Sequence, residues 1–207
     1  LPETVLGFAS AAVLGISLGA LVAEIRWVRR AVYPYIVAFQ TVPKIALAPL
    51  LVIWFGFGMT SKVIVAVTVA FFPVIVNTIE GLQNTDHQRI DMIRAMGAGR
   101  FEAFRRVKLP SALPYIFAGL DAAIVLSLLG AVVGEFMGSR AGLGNQILIF
   151  NSVLDIAGSF AVLILLSIIG FLLHLILVMV QKRVVFWTQV HAVSSGAKTR
   201  PPQESDP

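Results

Sequence analysis

Residues 157–180 read AGSFAVLILLSIIGFLLHLILVMV, an unbroken stretch without Asp, Glu, Lys or Arg. At 1.5 Å of rise per residue, about 20 apolar residues cross the hydrocarbon core of a bilayer. Four more stretches meet that length: Val5 to Ala23, Ile36 to Phe57, Val63 to Ile79 and Leu113 to Val133. The second is interrupted by Pro43, Lys44 and Pro49, and the third holds Pro73. Lipid offers no partner to an open sheet edge, and the runs are too long and continuous for barrel strands. The sequence therefore predicts an all-α, polytopic membrane protein with five transmembrane helices. Composition agrees. The 207 residues are 57% hydrophobic and 13% charged, with a mean hydropathy of +0.88, whereas a soluble domain carries roughly 25% charged residues.

Charge placement orients the spans. With the N-terminus outside, fourteen of the sixteen Lys and Arg residues fall on inner segments, and only Lys62 and Arg140 fall outside. The excess of basic residues on the cytoplasmic side fixes an N-out, C-in topology. The inner set is Arg26, Arg29, Arg30 and Lys44, then the six basic residues from Arg89 to Lys108, then Lys182, Arg183, Lys198 and Arg200. The net charge of +5 thus reflects membrane topology, and no basic face on a soluble module points to nucleic acid. The first apolar run follows Leu1 without a basic leader, unlike a signal peptide. The absence of cysteine excludes disulfides and thiolate metal sites.

Within the first span Gly7, Ala11, Gly15, Gly19 and Ala23 recur every four residues, as do Gly119, Ala123, Ser127 and Ala131 in the fourth. Such stripes let helix backbones approach closely, so they are read as packing faces rather than pathway linings. From Thr188 the chain turns polar, with too few apolar residues to offset the entropy of ordering. This divides the chain into a membrane domain, residues 1–187, and a cytoplasmic tail without fixed structure, residues 188–207.

The longest inner loop, residues 84–112, carries the most information. It reads NTDHQRIDMIRAMGAGRFEAFRRVKLPSALP from Asn84 to Pro114. Ile90, Ile93 and Met96 recur at helical spacing, and Gly97-Ala98-Gly99 ends that helix. Phe101, Phe104 and Val107 line one face of a second short helix, with Arg100, Arg105 and Arg106 largely opposite. Pro110 and Pro114 lead into the fourth span. Read by composition, this is a basic amphipathic helix pair on anionic headgroups.

The order of residues says more. Asp91 to Pro110 resembles the loop of permeases of binding-protein-dependent ABC importers, whose pattern is Glu-Ala-Ala, three residues, Gly, nine residues, Ile, one residue, Leu-Pro. Gly97 stands for the glycine, Val107 for the Ile, Leu109-Pro110 for the Leu-Pro and Asp91 for the Glu, while Met92 and Ile93 replace the alanines. TVPKIALAPLLVIWFGFG (41–58), FFPVIVNTIEGL (71–82), LPYIFAGL (113–120) and GAVVGEFMGSRAGLG (130–144) look like the nitrate, sulfonate and taurine branch of that family. The resemblance implies the type I importer permease fold, usually with one more helix before the first span, so an N-terminal portion is expected to be missing. It also implies that Asp91, Met96, Gly97, Ala98, Phe101, Phe104, Val107, Leu109 and Pro110 form the loop that couples to an ATPase subunit. It implies a homodimer, a periplasmic or lipid-anchored binding protein, and a bacterial inner-membrane location. The implied solute is a small anion such as a sulfonate, taurine or nitrate, although some members of the branch handle thiamin-precursor pyrimidines or riboflavin.

The chain has no G-x-x-x-x-G-K-[ST] loop, so ATP and Mg are expected on the partner subunit and no cofactor on this one. His87, His174 and His191 form no ligand-spaced pair and are read as surface or interface residues. Carboxylates at membrane depth are functional candidates. Asp121, where related permeases often carry a basic residue, is expected to pair with an Arg or Lys at the inner mouth. Glu135, Gly142, Leu143 and Gly144 are read as shaping an outer gate. A membrane enzyme would need converging acids, bases or metal ligands. A scaffold subunit would leave the helix-Gly-helix loop unexplained.

Overall fold

A computed structural model describes residues 1–139 and 141–188. The expected tail therefore lies, from residue 189, outside the described residues, as does Arg140. Helix is the regular structure of the described residues, with no strand among them. Among the described residues four helices are long and apolar enough to cross a membrane: α1 (Pro2–Glu24), α4 (Met59–Gln83), the helix containing α7 (Leu109–Phe136), and α9 (Ile156–Val184). They outrun the apolar stretches by a few residues at each end, because a helix continues into the headgroup zone wherever its polar flanks can be solvated.

The second stretch is the fifth span if the bent helix pair within it crosses as one, and its break falls at the expected interruption by Pro43, Lys44 and Pro49. It splits into α2 (Arg26–Gln40), a 3-10 turn at Lys44–Leu47 and α3 (Ala48–Phe55), and the two halves meet at 83°. Pro43 and Pro49 each remove a backbone donor, so the ladder cannot run through. Lys44, counted above with an inner segment, sits at this break. It lies against Phe72, midway along α4.

α4 is the centre of the bundle, with α1 on one side and α7 on the other. Small residues set both interfaces. A Cβ on Gly7 would fall 2.5 Å from that of Ala66, one on Gly15 2.7 Å from Val74, and one on Gly19 2.8 Å from Thr78. On the α7 side a Cβ on Gly119 would meet Asn77 and the Pro73 carbonyl at 2.8 Å, and one on Gly130 the Ala66 backbone at 2.8 Å. The four-residue stripes are thus packing faces, and helix approach in lipid depends on such dispersion contacts. Ser127 is fully buried in the second of these faces and returns its hydroxyl to the Ile124 carbonyl at 2.8 Å.

Ion pairs mark the two ends of the bundle. At one end Glu24 meets Lys108 Nζ at 2.6 Å, which ties the end of α1 to the start of α7. At the other, Lys62 Nζ donates to Ser139 Oγ at 2.7 Å and lies 3.5 Å from Glu3. The first is the loop end and the second the far end. α9 packs on α7 and on the short helix α8 (Leu143–Ser152). It leaves most of its leucines and isoleucines uncovered, with Val162 and Leu177 buried. This is what a helix facing lipid requires.

Candidate functional site

The loop between α4 and α7 folds from its own sequence. Asp86 caps α5 (His87–Ala95), its Oδ1 accepting the Gln88 N–H at 2.9 Å. At the other end of α5 the chain reverses at Gly97, with φ +91°. The Ala98 N–H returns to the Ile93 carbonyl at 3.1 Å and the Gly97 N–H to that of Arg94 at 2.9 Å. This is the paired closure of a Schellman motif, which needs a left-handed residue after the cap. Nothing lies within 4 Å of where a Gly97 Cβ would be, so only the backbone angle demands glycine.

Beyond the turn, the second helix is not free-standing. α6 (Arg100–Ala103) runs through a π turn, Phe104–Lys108, directly into α7. Arg100–Phe136 is one apolar helix of 37 residues. The π turn answers Pro110, whose ring would crowd the carbonyl four residues back and which has no N–H to give it. The wide bond from the Leu109 N–H to the Phe104 carbonyl carries the helix past that point.

Burial divides the expected shared face of Phe101, Phe104 and Val107. Phe104 is half-buried and packs on the core cluster that includes Leu82, Ala112 and Ile116, and Val107 is also half-covered. Phe101 stands 75% exposed, joined by Met92 at 64% and Met96 at 79%. These three are the uncovered apolar side chains of the loop. Around them Arg94, Arg100, Arg105 and Arg106 are exposed. Asp91 is exposed and Ala98 half-covered, while Leu109 and Pro110 are half-buried at the root of α7. Met92, treated above only as a departure from a motif, is the residue the sequence reading missed. Its signal was an apolar side chain four positions from Met96 on a helix with polar neighbours.

At the far end the structure brings Glu135, Gly142, Leu143 and Gly144 together. Glu135 is 7% exposed, and its Oε2 accepts the Gly144 N–H at 2.6 Å. The carboxylate therefore caps the N-terminus of α8, where unpaired N–H groups and the helix dipole favour an anion. Gly142, with φ +126°, passes so close that a Cβ there would overlap the carboxylate.

Asp121 pairs with His174 of α9, Oδ1 to Nδ1 at 2.5 Å, and not with Arg or Lys. Both residues lie well inside their spans, away from the helix ends. Asp121 lies in the first half of α7 and His174 in the second half of α9, so the pair sits in the half of the bundle nearer the loop end. Among the described residues no three His, Asp or Glu side chains converge as a metal would need.

The bundle, its broken span and the helix-turn-helix loop define a polytopic membrane protein. The chain belongs to the family of binding-protein-dependent transport system inner membrane components, whose model matches residues 11–186. It is 44% identical over 167 residues to the formylaminopyrimidine transport permease protein ThiX of Halalkalibacterium halodurans, covering 81% of this chain and 67% of that one. It is 38% identical to the riboflavin transport system permease protein RibX of Chloroflexus aurantiacus (80% and 62%). Against the taurine transport system permease protein TauC of Escherichia coli it is 32% identical (90% and 68%). The chain thus spans about two thirds of the length of these relatives. Its fold matches a chain of the MetNI methionine ABC transporter in inward-facing form, with a TM-score of 0.72 at 20% identity over 88% of this chain and 93% of that one.

Proposed function

We propose that this chain is the membrane-spanning subunit of an ATP-driven importer. Two copies form one solute pathway, a binding protein delivers the solute on the far side, and a separate ATPase grips the loop on the cytoplasmic side of a bacterial inner membrane. The observation that carries the reading is the apolar trio Met92, Met96 and Phe101 at the base of an uninterrupted 37-residue helix. Methionine and phenylalanine fill irregular clefts well, and a basic rim around them favours an acidic partner surface. A push on Phe101 passes into α7 along continuous helix, and α7 is packed on α4 through contacts too close to slip. ATPase closure would therefore rock α4 and α7 as one body, the way packed elements transmit switching.

The solute is read as a flat heterocycle of the pyrimidine or flavin kind, because the relatives named for such solutes are more similar than the taurine permease. A small anion is the second reading, favoured by the taurine permease alignment over 90% of the chain. The test is reconstitution of the chain with its ATPase and binding protein in proteoliposomes. ATP hydrolysis should rise when the binding protein is loaded with formylaminopyrimidine and should rise less with taurine. No stimulation by any loaded binding protein would overturn the importer reading, and the reverse order would replace the heterocycle with the anion.

A further inference from the structure

Lys44 plays no part in the coupling just described, yet it stands where a cation is least welcome. Its neighbours Phe72 and Pro73 lie midway along α4, and Leu126 lies near the middle of α7. That is the depth of the hydrocarbon core, where a lysine facing lipid is costly and an ionisable side chain marks a pathway by default. The unwound backbone between α2 and α3 gives the same indication. Non-helical chain at that depth persists only where it is buried in protein or lines a wet cavity.

Two contacts hold the ammonium. Lys44 Nζ donates to the Gln40 carbonyl at 2.8 Å and lies 4.4 Å from the centroid of the Phe72 ring. An ammonium has three donors, and among the described residues the Gln40 carbonyl is its hydrogen-bond acceptor. Beside it is an open groove of about 320 Å³, lined by Gln40, Pro43, Ile45, Phe72, Pro73 and Leu126 together with Lys44 itself. This volume suits a small solute. A cavity at the far end has comparable volume, but the Glu135 carboxylate on its wall is already engaged by Gly144.

We propose that Lys44, Gln40 and the surrounding apolar wall form a solute station on the transport pathway, and that it takes a flat heterocycle with adjoining hydrogen-bond donor and acceptor atoms. The apolar wall covers the ring faces. Lys44 donates to a ring nitrogen or carbonyl, and the Gln40 side-chain amide, a donor and an acceptor together, reads the neighbouring edge. A sulfonate or nitrate offers acceptors alone, so it would engage the amide N–H donors and leave the amide oxygen without a donor. The inference rests on the importer reading and deepens it.

The chain has no cysteine, so a single Ile45→Cys reports on the wall while leaving Lys44 in place. In the reconstituted complex, a charged methanethiosulfonate reagent should modify this cysteine about tenfold faster than one placed at Leu163, on the lipid-facing helix α9, a thiolate forming only where water reaches. Formylaminopyrimidine should slow the reaction more than taurine does, and Lys44→Met should abolish that protection. Lys44→Met should also lower formylaminopyrimidine uptake by about tenfold, the scale of one charge-assisted hydrogen bond, with Lys44→Arg recovering part of it. Modification no faster than at Leu163 would overturn the station, as would rapid modification that neither solute slows. Protection by taurine alone would overturn the heterocycle. Binding-protein-stimulated ATP hydrolysis measured in the same vesicles separates these results from a failure of the importer reading, because the cysteine rates need no ATP.

Discussion

At the far end of the long α6–α7 helix, Gly142 and Gly144 wrap a carboxylate that takes a backbone N–H, leaving no space for a Cβ on either glycine. At the loop end, Gly97 turns the chain through a similar left-handed angle with nothing within 4 Å of its missing Cβ. Both turns join a short helix to the same long one, but they are satisfied differently. The far turn is closed by the chain's own groups. The loop turn closes only its backbone, and it leaves Met92, Met96 and Phe101 facing outward. A turn complete in itself fixes structure, whereas a turn that exposes an apolar trio is completed by something else. Substitutions at the two turns should therefore differ in kind: stability at the far end, partner binding at the loop end.

The largest effect is expected from Gly144→Ala. Its Cβ would come 2.7 Å from the Val132 carbonyl and 3.0 Å from Glu135 Cβ and Oε2, so the cap would have to open. Opening it strands a buried carboxylate and releases the start of α8, at a cost of about 3 kcal/mol or more. Melting in nanodiscs should fall by several degrees, or the variant should fail to extract as a single species. Glu135→Gln keeps an oxygen for the Gly144 N–H and should cost about 1 kcal/mol. A Gly144→Ala protein that melts like the wild type would show that the far turn is not the closed unit described here. Gly97→Ala provides the contrast. It meets no atom and should cost about 1 kcal/mol of backbone strain, with Gly97→Asn milder because asparagine tolerates the left-handed region.

Much of this contrast could be read from the sequence, and the unread part has physical causes. Four spans were legible because lipid forces about 20 apolar residues on any crossing helix, and Gly97 because a helical period stopped there. The interruption at Pro43, Lys44 and Pro49 was legible too, but its 83° bend was not. Prolines in an apolar run are equally compatible with a kinked span, and the choice depends on contacts with Phe72 that no local pattern records. The split between Phe101 and Phe104 was hidden for another reason. Helical spacing puts both on one face, but which of them is covered depends on where the packed core beside Phe104 ends. Helix α8 went unread because its ten residues are too short for a span and its start is set by Glu135, eight positions earlier. Asp121 stood out as a charge in a span, but its partner is 53 positions away on another helix.

That pair is expected to be intermediate in effect. Asp121 and His174 are each about 40% exposed at the side chain, so they are not sealed as Glu135 is. Polar contacts between helices in bilayers contribute about 0.6 kcal/mol on average, because the separated helices find other partners. Asp121→Asn should therefore fold and melt within about 1 kcal/mol of the wild type. A double-mutant cycle with His174→Gln in nanodiscs should give a coupling near that average. Strict additivity would mean that the 2.5 Å contact contributes nothing to holding α9 on α7. A coupling as large as the loss in Gly144→Ala would make the pair, rather than the far turn, the main polar fastener of the bundle.

The smallest effect on stability, and the most informative for function, is expected from Phe101→Ser combined with Met96→Ser. Both side chains are already more than 70% exposed, so little apolar area leaves a packed environment, and surface changes of this kind usually fall within about 0.5 kcal/mol. The melt should be indistinguishable from wild type. Co-purification with the ATPase subunit should nonetheless be lost, because a few apolar anchors carry most of the energy of such an interface. Phe104→Ala should behave in the opposite way. It empties part of the core beside Leu82 and Ile116, lowers the melt by about 2–4 kcal/mol, and weakens the ATPase contact only through misplacement of α6. Reversing the basic rim with Arg105→Glu should slow ATPase association at low salt and have little effect at high salt. If the Phe101/Met96 variant binds the ATPase normally, the trio is not the docking surface. If it melts early, the loop is packed on the rest of this chain, and the contrast between a self-closed turn and an open one fails at its open end.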